Sequence, residues 1–453
     1  MTARPAGAPR APLSQWTHRL VLSLAAALSL GANPTGPDCT AVVGATAWLP
    51  DGPTDGVTAI LADGRIAALG TDVALGAPKD GTVTWGDRRC ALVDGAKKQL
   101  TAGLIEPHST LGMVEIGLEP GTRHHDAGGA QPVRAHVRVI DGYDALSAVV
   151  PVARREGITA AVIQPDGGSF SGAAGAVRLR GATQADAVLR DAAGKDVGRE
   201  VAVRAHLSQG TSFSARLAHL RSVLDEARAW KRDARAWRQG AGTRADAPPE
   251  ESLRALDAVI ARRQPLIVSA DRASDLEVLA VFARQQGIRL VVEGAAEGWI
   301  VAAQLAEAGV AVVLDPFVYG AGSFDQIHGR ADNGALLADA GVDVMFSTRS
   351  AHFARKLRQL AGNAVRGGMD AGDALAAVTE VPARVYGLGE RGTLTVGAIA
   401  DVVLWTGDPL EVTTWPERLW IDGDAMSLDS RQSELAERYR ELPGSPTEPL
   451  PLP

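Results

Sequence analysis

Glu106, His108 and Thr110 alternate within one apolar run, residues 100–112, which reads LTAGLIEPHSTLG. Alternate side chains of an extended strand share a face, so a carboxylate, an imidazole and a hydroxyl are expected to project together. A carboxylate and an imidazole so placed can act as acid and base, and an imidazole is also a common metal ligand. Other polar residues sit at the ends of other apolar runs. His206 falls near the end of 201–207, and Asp271, Glu293, Glu297 and Asp315 fall at or just after the ends of 265–270, 288–293 and 310–314. Arg349 follows the run 342–347. His124 and His125, followed by Asp126, lie in a Gly-rich stretch; adjacent residues of an extended chain point opposite ways, so a polar loop is expected. The segment 167–172, GGSFSG, reads as a tight turn after a strand, with a weak signal for an anion cradle. Ser169 and Ser171 within it have no evident His–Asp partnership. Cys39 and Cys90, the two cysteines, lack the clustered spacing of zinc sites. Each lies just before a strand-like run, so they are expected to come close and to pair in an oxidising compartment.

The elements that must position these groups follow from pattern. Residues 40–100 alternate short apolar runs with Gly- and Asp-rich turns, which is strand-and-turn texture. From residue 100 onward, buried-strand runs at 157–164, 201–207, 265–270, 288–293, 310–314 and 342–347 alternate with helical stretches at 214–238, 252–262, 274–285 and 300–308. Such alternation over about 250 residues predicts a parallel sheet with helices outside it, and the number of units favours closure into a barrel. Strand texture returns at 393–405 and 420–423. The chain of 453 residues is long enough for a barrel and a second module, and its 46% hydrophobic residues supply the cores. A net charge of −7 argues against a nucleic-acid partner. At the N-terminus, Arg4, Arg10 and Arg19 precede an apolar run at 20–30 and small residues at 31–32, the parts of a signal peptide. That run is too short to span a bilayer comfortably, and Gly36-Pro37-Asp38 before Cys39 is not a lipobox. The protein is therefore expected to be exported, periplasmic or extracellular, without a stable membrane anchor.

The run 100–112 resembles the first barrel strand of the amidohydrolase superfamily, which usually reads Pro-Gly-Leu-Ile-Asp-x-His-x-His. Residues 381–388, VPARVYGL, resemble the family's Asn-Pro-Ala-Arg-x-Leu-Gly-Leu helix end, and 392–409, GTLTVGAIADVVLWTGDP, resembles its return to a β-domain. The resemblance covers about 40–427 and is nearest to the imidazolonepropionase-like branch. It implies a TIM-like (β/α)₈ barrel over 100–388 and a small β-sandwich domain made from 39–99 and 391–427. Residues 1–32 are then the signal peptide, and 428–453 a C-terminal helix and Pro-rich tail.

Members of that superfamily hydrolyse C–N and related bonds with metal-activated water. Carrying their metal positions over, the first His falls on His108 and the second on Thr110. The fifth-strand His falls on Ser269, the sixth-strand His on Gly294, and the eighth-strand Asp on Arg349, or on Ser350 if the register slips. Of these only His108 is a metal ligand. The implied reading is a catalytically degenerate barrel with a binding or structural role, a small-molecule ligand and no cofactor. The alternative is an active hydrolase of non-peptide C–N bonds, with His108 and Glu106 as the catalytic pair and one zinc or no metal. Arg349, Asp271, Glu293 and His206 are the candidate ligand-binding residues. Arg349 is expected to occupy the former metal position and to pair with Glu106, Asp271, Glu293 or Asp315, because a buried guanidinium needs a partner. Oligomeric state is left open.

Overall fold

The strand-and-turn texture of the first hundred residues becomes a sheet organised around one long strand. The computed structural model describes residues 37–126, 132–191, 193–207, 212–241, 247–317 and 322–440. The expected signal peptide and the Pro-rich tail from 443 lie outside the described residues. Strand β1 (Cys39–Leu49) runs antiparallel to β2 (Gly52–Ala62), which is flanked by β3 (Arg65–Gly70). The other edge of β1 changes partner midway. Its first half lies parallel to β5 (Arg88–Asp94), which carries β4 (Thr82–Trp85), and its second half lies parallel to β6 (Gln99–Ala102). The change coincides with irregular register between Val42 and Ala47, where Gly44 adopts φ +79. A bulge of this kind bends a strand, and glycine takes that backbone conformation without steric cost. Cys39 and Cys90 face each other across β1 and β5 and are joined by a disulfide.

The chain then enters the barrel. Its strands are β7 (Leu104–Ser109), β8 (Ile158–Ile163), β9 (Phe170–Arg178), β10 (Ala202–Ala205), β11 (Leu266–Ala270), β12 (Leu290–Gly294), β13 (Ala311–Leu314) and β14 (Val344–Phe346). They are hydrogen-bonded in sequence order. All run parallel except β9, which is antiparallel to both of its neighbours. The turn between β8 and β9 is too short for a helical crossover, so the chain can only double back. The segment expected to be a plain turn after the second strand thus leads into a strand. Between β14 and β7 no ladder forms. The seam is closed by other groups: Phe346 N–H donates to Ala377 O, Ile105 N–H to Val378 O, and Ser347 Oγ to His108 O.

Helices cover the outside. The stretch read as one helix from 214 to 238 is two, Phe213–Arg232 and Ala234–Ala241, broken at Asp233, whose carboxylate accepts from Arg235 N–H and Ala236 N–H. Along each barrel strand, one set of side chains packs on the helices and the other fills an interior cluster that includes Ile105, Val162, Ala202, Ile267, Val291, Val313 and Met345. This is the period-2 division of a barrel strand.

After the barrel, β15 (Val402–Trp405) pairs antiparallel with β6, and β16 (Pro416–Ile421) and β17 (Asp424–Ala425) extend the same sheet. The N- and C-terminal strands therefore share one nine-stranded sheet. The barrel packs closely on it. Gly157 lies against the buried Trp405 ring, and a Cβ there would meet Trp405 Cη2 at 2.4 Å. The helix Arg431–Arg438 follows.

Candidate functional site

Strand parity decides which side chains reach the barrel mouth. On β10, Ala202 joins the interior cluster while Val203 and Ala205 face the helices, so Arg204 and His206 turn inward. On β12, Val291 is interior and Leu290 and Val292 are exterior, so Glu293 turns inward. The same alternation carries Gln164 inward past Val162 and Ser347 inward past Met345. The interior is thus apolar along the strands and polar at their C-terminal ends, the face on which barrel enzymes build their sites.

These polar groups form one network. Glu293 Oε1 lies 2.6 Å from His108 Nδ1, and Glu293 Oε2 lies 2.5 Å from Arg204 Nη1. The same Nη1 donates to Gln164 Oε1 at 2.6 Å, and Gln164 Nε2 donates to the Pro107 carbonyl at 3.2 Å. Side chains from β7, β10 and β12, with Gln164 just beyond β8, are thereby tied together. Glu293 is 1% exposed, Arg204 8% and His108 7%, so water does little to screen them. Burial alone would raise the pKa of Glu293, but Arg204 and His108 outweigh it and hold this carboxyl well below the usual range. Burial pushes His108 down, with Arg204 and Arg349 adding to the effect and Glu293 opposing it. At neutral pH the network is therefore a guanidinium, a carboxylate and a neutral imidazole.

Glu106 sits beside it in a different state. It is fully buried, and burial pushes its pKa up to about 8, against the opposing effects of the neighbouring Ser347 and of the hydrogen bond from His108 N–H. It is a neutral acid at pH 7. Its Oε1 accepts from His108 N–H at 3.1 Å, while Oε2 has no partner among the described residues.

The candidate residues separate into two groups. Glu106, His108 and Glu293 come together, and His206 stands at the edge of that network, its Nε2 2.9 Å from Asp166 Oδ1. Asp271 and Arg349 line a different cleft, with Gly294, Asp315 and Gln326, at the ends of β11 to β14. The expected pairing of Arg349 with a carboxylate is not found: it is exposed and makes no ion pair among the described residues. The reason is local. Arg349 lies three residues beyond the end of β14 in the left-handed region, φ +54, with its N–H held by Ser347 Oγ at 2.8 Å. The buried cation is Arg204 instead. Its signal was present in the sequence, because residue 204 has the same parity as His206 in the run 201–207.

Two weaker expectations resolve as well. In 167–172, Ser169 N–H and Phe170 N–H both donate to the Pro132 carbonyl, which leaves neither for an anion. Ser169 Oγ lies 2.9 Å from His219 Nε2 but donates its own proton to Pro132 O, also at 2.9 Å. A hydroxyl so committed is not an activated nucleophile. Among the described residues no group of three or more His, Cys, Asp or Glu side chains is arranged to hold a metal ion.

Comparison with known proteins bears on the fold and the family. Residues 271–426 match the model of the Amidohydrolase family. A 57-residue stretch is 47% identical to Amidohydrolase tasK of Hapsidospora irregularis; the match spans only 6% of that relative's length and 12% of this chain. The crystal structure of an amidohydrolase from Thermotoga maritima superposes with a TM-score of 0.71 at 20% identity, covering 86% of this chain and 99% of the other. An uncharacterized protein of known structure superposes at 0.52 and 15% identity, over 86% and 99% of the two chains. The barrel and the shared sheet from both chain ends have the fold of that Thermotoga maritima structure, and residues 271–426 carry the similarity to the Amidohydrolase family.

Proposed function

We propose that this is an amidohydrolase-like protein of the cell envelope whose metal-dependent hydrolysis has been lost and whose barrel mouth binds a small molecule. The observation that carries this reading is the Arg204–Glu293–His108 network at the strand ends. The residues present do not fit a divalent ion. His108 Nδ1 contacts Glu293, Glu293 is shared with a guanidinium, Thr110 and Ser269 offer only hydroxyls, and Gly294 offers no side chain. Arg204 cannot release its proton. A dication about 5 Å from it would be repelled by roughly 6–7 kcal/mol at an effective dielectric of about 20. The motifs at 100–112 and 381–409 support the imidazolonepropionase-like branch as the ancestral source. The disulfide between Cys39 and Cys90 supports export, since such bonds persist in oxidising compartments.

A second reading, residual metal-free hydrolysis of a C–N bond, draws on Glu106 and His108. They are two residues apart on β7, and Oε2 of the buried Glu106 has no partner among the described residues. Metal analysis of the purified protein, alongside a panel of C–N substrates and fractionation of the source cells, tests both readings. The first expects no stoichiometric zinc or manganese, no turnover and an extracytoplasmic location. One tight equivalent of metal, with turnover abolished by His108→Ala, would overturn it. Metal-free turnover lost in both Glu106→Gln and His108→Ala would establish the second.

A further inference from the structure

Three chain segments meet on one part of the barrel rim, and each carries an exposed apolar side chain. Beyond β7 the chain folds back on itself over 114–123, with Val114 bridged to Arg123 and Glu115 N–H donating to Thr122 O. Leu118 stands on that turn and is 98% exposed, with the exposed Ile116 beside it. The segment of Leu146, 73% exposed, is tied to the same turn through the Glu115 carboxylate, which accepts from Ser147 Oγ at 2.5 Å and Ala148 N–H at 3.1 Å. The helix Val149–Arg154 continues this segment and packs against the short turn Ala354–Lys356. The exposed Phe353 directly precedes that turn. Phe353 follows β14, the seam neighbour of β7, so all three segments leave the same end of the barrel.

Cations lie among these side chains. Arg349, Arg355 and Lys356 flank Phe353 in sequence, and Arg123 closes the 114–123 turn. Among the described residues none of the four side chains makes a hydrogen bond or an ion pair; Lys356 Nζ lies 4.5 Å over the Phe353 ring. Exposed arginines elsewhere on this surface are paired, as Arg138 is with Asp141 and Arg384 with Asp343. The carboxylates of the same rim segments are engaged locally. Glu115 holds Ser147 and Ala148, Glu119 accepts Gly121 N–H at 3.1 Å, and Asp144 accepts Leu146 N–H at 2.8 Å. Acidic side chains thus fix the loops while the longer basic ones are left unpaired. The whole chain carries a net charge of −7, so an anionic surface attracts this rim and repels much of the rest. A second copy of the chain is a poor occupant, because a two-fold contact would set the unpaired cations against themselves. Apolar tips interspersed with cations suit the interfacial region of a bilayer, where apolar groups sink to the headgroup boundary and basic groups meet phosphates.

We propose that this rim docks the protein on a membrane surface rich in anionic phospholipid, with Leu118, Leu146 and Phe353 entering the headgroup region and Arg349, Arg355 and Lys356 meeting lipid phosphates. The contact is peripheral, and no helix among the described residues is long and apolar enough to cross a membrane. Both kinds of group are needed. A few loop side chains bury little area, and a contact made by charge alone is screened by salt. The inference goes beyond the reading of the barrel mouth and stands whether or not that mouth binds or hydrolyses a small molecule.

Sedimentation of the full chain with vesicles tests it, using phosphatidylglycerol and phosphatidylcholine in equal parts against phosphatidylcholine alone. Partition should be stronger on the anionic vesicles by about tenfold, and should weaken as salt is raised from about 0.1 to 0.5 M. Leu118→Ser with Phe353→Ser, and separately Arg355→Gln with Lys356→Gln, should each lower it by about tenfold. Every comparison is made within the full chain, so any contribution of the apolar run 20–30 is common to parent and variants. The substituted side chains lie outside the packed core, and an unchanged melting temperature confirms that the variants fold. A dye adds location. The two cysteines are joined in the disulfide, so one introduced cysteine can carry an environment-sensitive fluorophore. At Leu118→Cys its emission should shift to the blue when anionic vesicles are added; at Val396→Cys, exposed beyond the barrel, it should not. Unchanged partition in both double variants, no preference for anionic vesicles, or equal shifts at 118 and 396 overturns the proposal. Self-association lost in Leu118→Ser with Phe353→Ser, without vesicle binding by the parent, also overturns it and makes the rim an interface between copies.

Discussion

Arg204 and Glu293 meet at 2.5 Å inside the barrel, from β10 and β12, with β11 between them. The pair joins non-adjacent strands through side chains where the backbone ladder cannot. It also explains how an arginine can be buried here: the same Nη1 reaches both Glu293 and Gln164.

Breaking the pair should be expensive. Arg204→Met leaves the carboxylate of Glu293 enclosed and without its cation, a change that typically costs about 3–5 kcal/mol. Glu293→Gln should cost a similar amount by leaving the guanidinium unpaired. The double variant should lose clearly less than the sum, with a coupling energy above about 1 kcal/mol in urea unfolding. Strict additivity would show that the two side chains do not depend on each other.

Glu106 makes stability depend on pH in a direction unusual for a carboxylate. Its folded pKa, about 8, lies above the ordinary value of 4.5. The folded state therefore holds its proton after the unfolded chain has released one. Stability from this group is fully present below about pH 4.5 and is lost progressively as pH rises to about 8. The full shift corresponds to roughly 5 kcal/mol as an order of magnitude. Glu106→Gln keeps the shape but cannot ionise. The variant should match the parent near pH 5 and exceed it by a few kcal/mol near pH 9. A difference that stays flat across that range would mean the carboxyl is solvated or otherwise compensated.

The disulfide closes a loop with a sequence separation of 51 residues. In the chain-entropy model, losing it costs about 4 kcal/mol. Both sulfurs are buried between β1 and β5. Reduction under native conditions should therefore be slow, and it should lower the urea midpoint once complete. An unchanged midpoint after verified reduction would show that the strand pairing constrains the unfolded chain little.

The barrel was legible because strand runs such as 265–270 and 288–293 carry continuous apolar stretches, 265–268 and 290–292, as strands covered on both faces do. The shared sheet was legible because strand texture recurs at both ends of the chain. What escaped was set by geometry that pattern does not encode. β9 contains two glycines and four alanines or serines within a segment that begins as turn chemistry, and only the short connection from β8 forces it antiparallel. Arg204 is hard to read from sequence because an arginine in a strand run is ordinarily solvent-facing, whereas His206, two residues away on the same face, carries a side chain of recognisable chemistry. Arg349 was misplaced because nothing in its neighbours indicates a left-handed backbone three residues past the strand.

The junction of the barrel with the β-domain is built on a buried arginine. Arg391 is 3% exposed, and its guanidinium pairs with Asp401, also 3% exposed, and with Asp422 Oδ1 at 2.5 Å. Asp422 is held from the barrel side as well, by Arg178 at the end of β9 and by Arg180 Nη1 at 3.3 Å. Among the described residues Asp401 has no such second cation; its other hydrogen bond comes from Asp422 N–H. The two arginines should therefore differ in consequence. Arg391→Met leaves Asp401 buried and uncompensated, at about 3–5 kcal/mol. Arg178→Met removes one of several partners of a more exposed carboxylate and should cost about 1 kcal/mol or less. Arg391→Lys keeps the charge but cannot bridge two carboxylates as a fork, so it should fall between parent and Met. Amide exchange adds location: in Arg391→Met, β15 and β16 should exchange faster while β11 to β13 keep their protection. Equal losses for Arg178→Met and Arg391→Met, or faster exchange spread evenly through the barrel, would show that this network does not hold the junction.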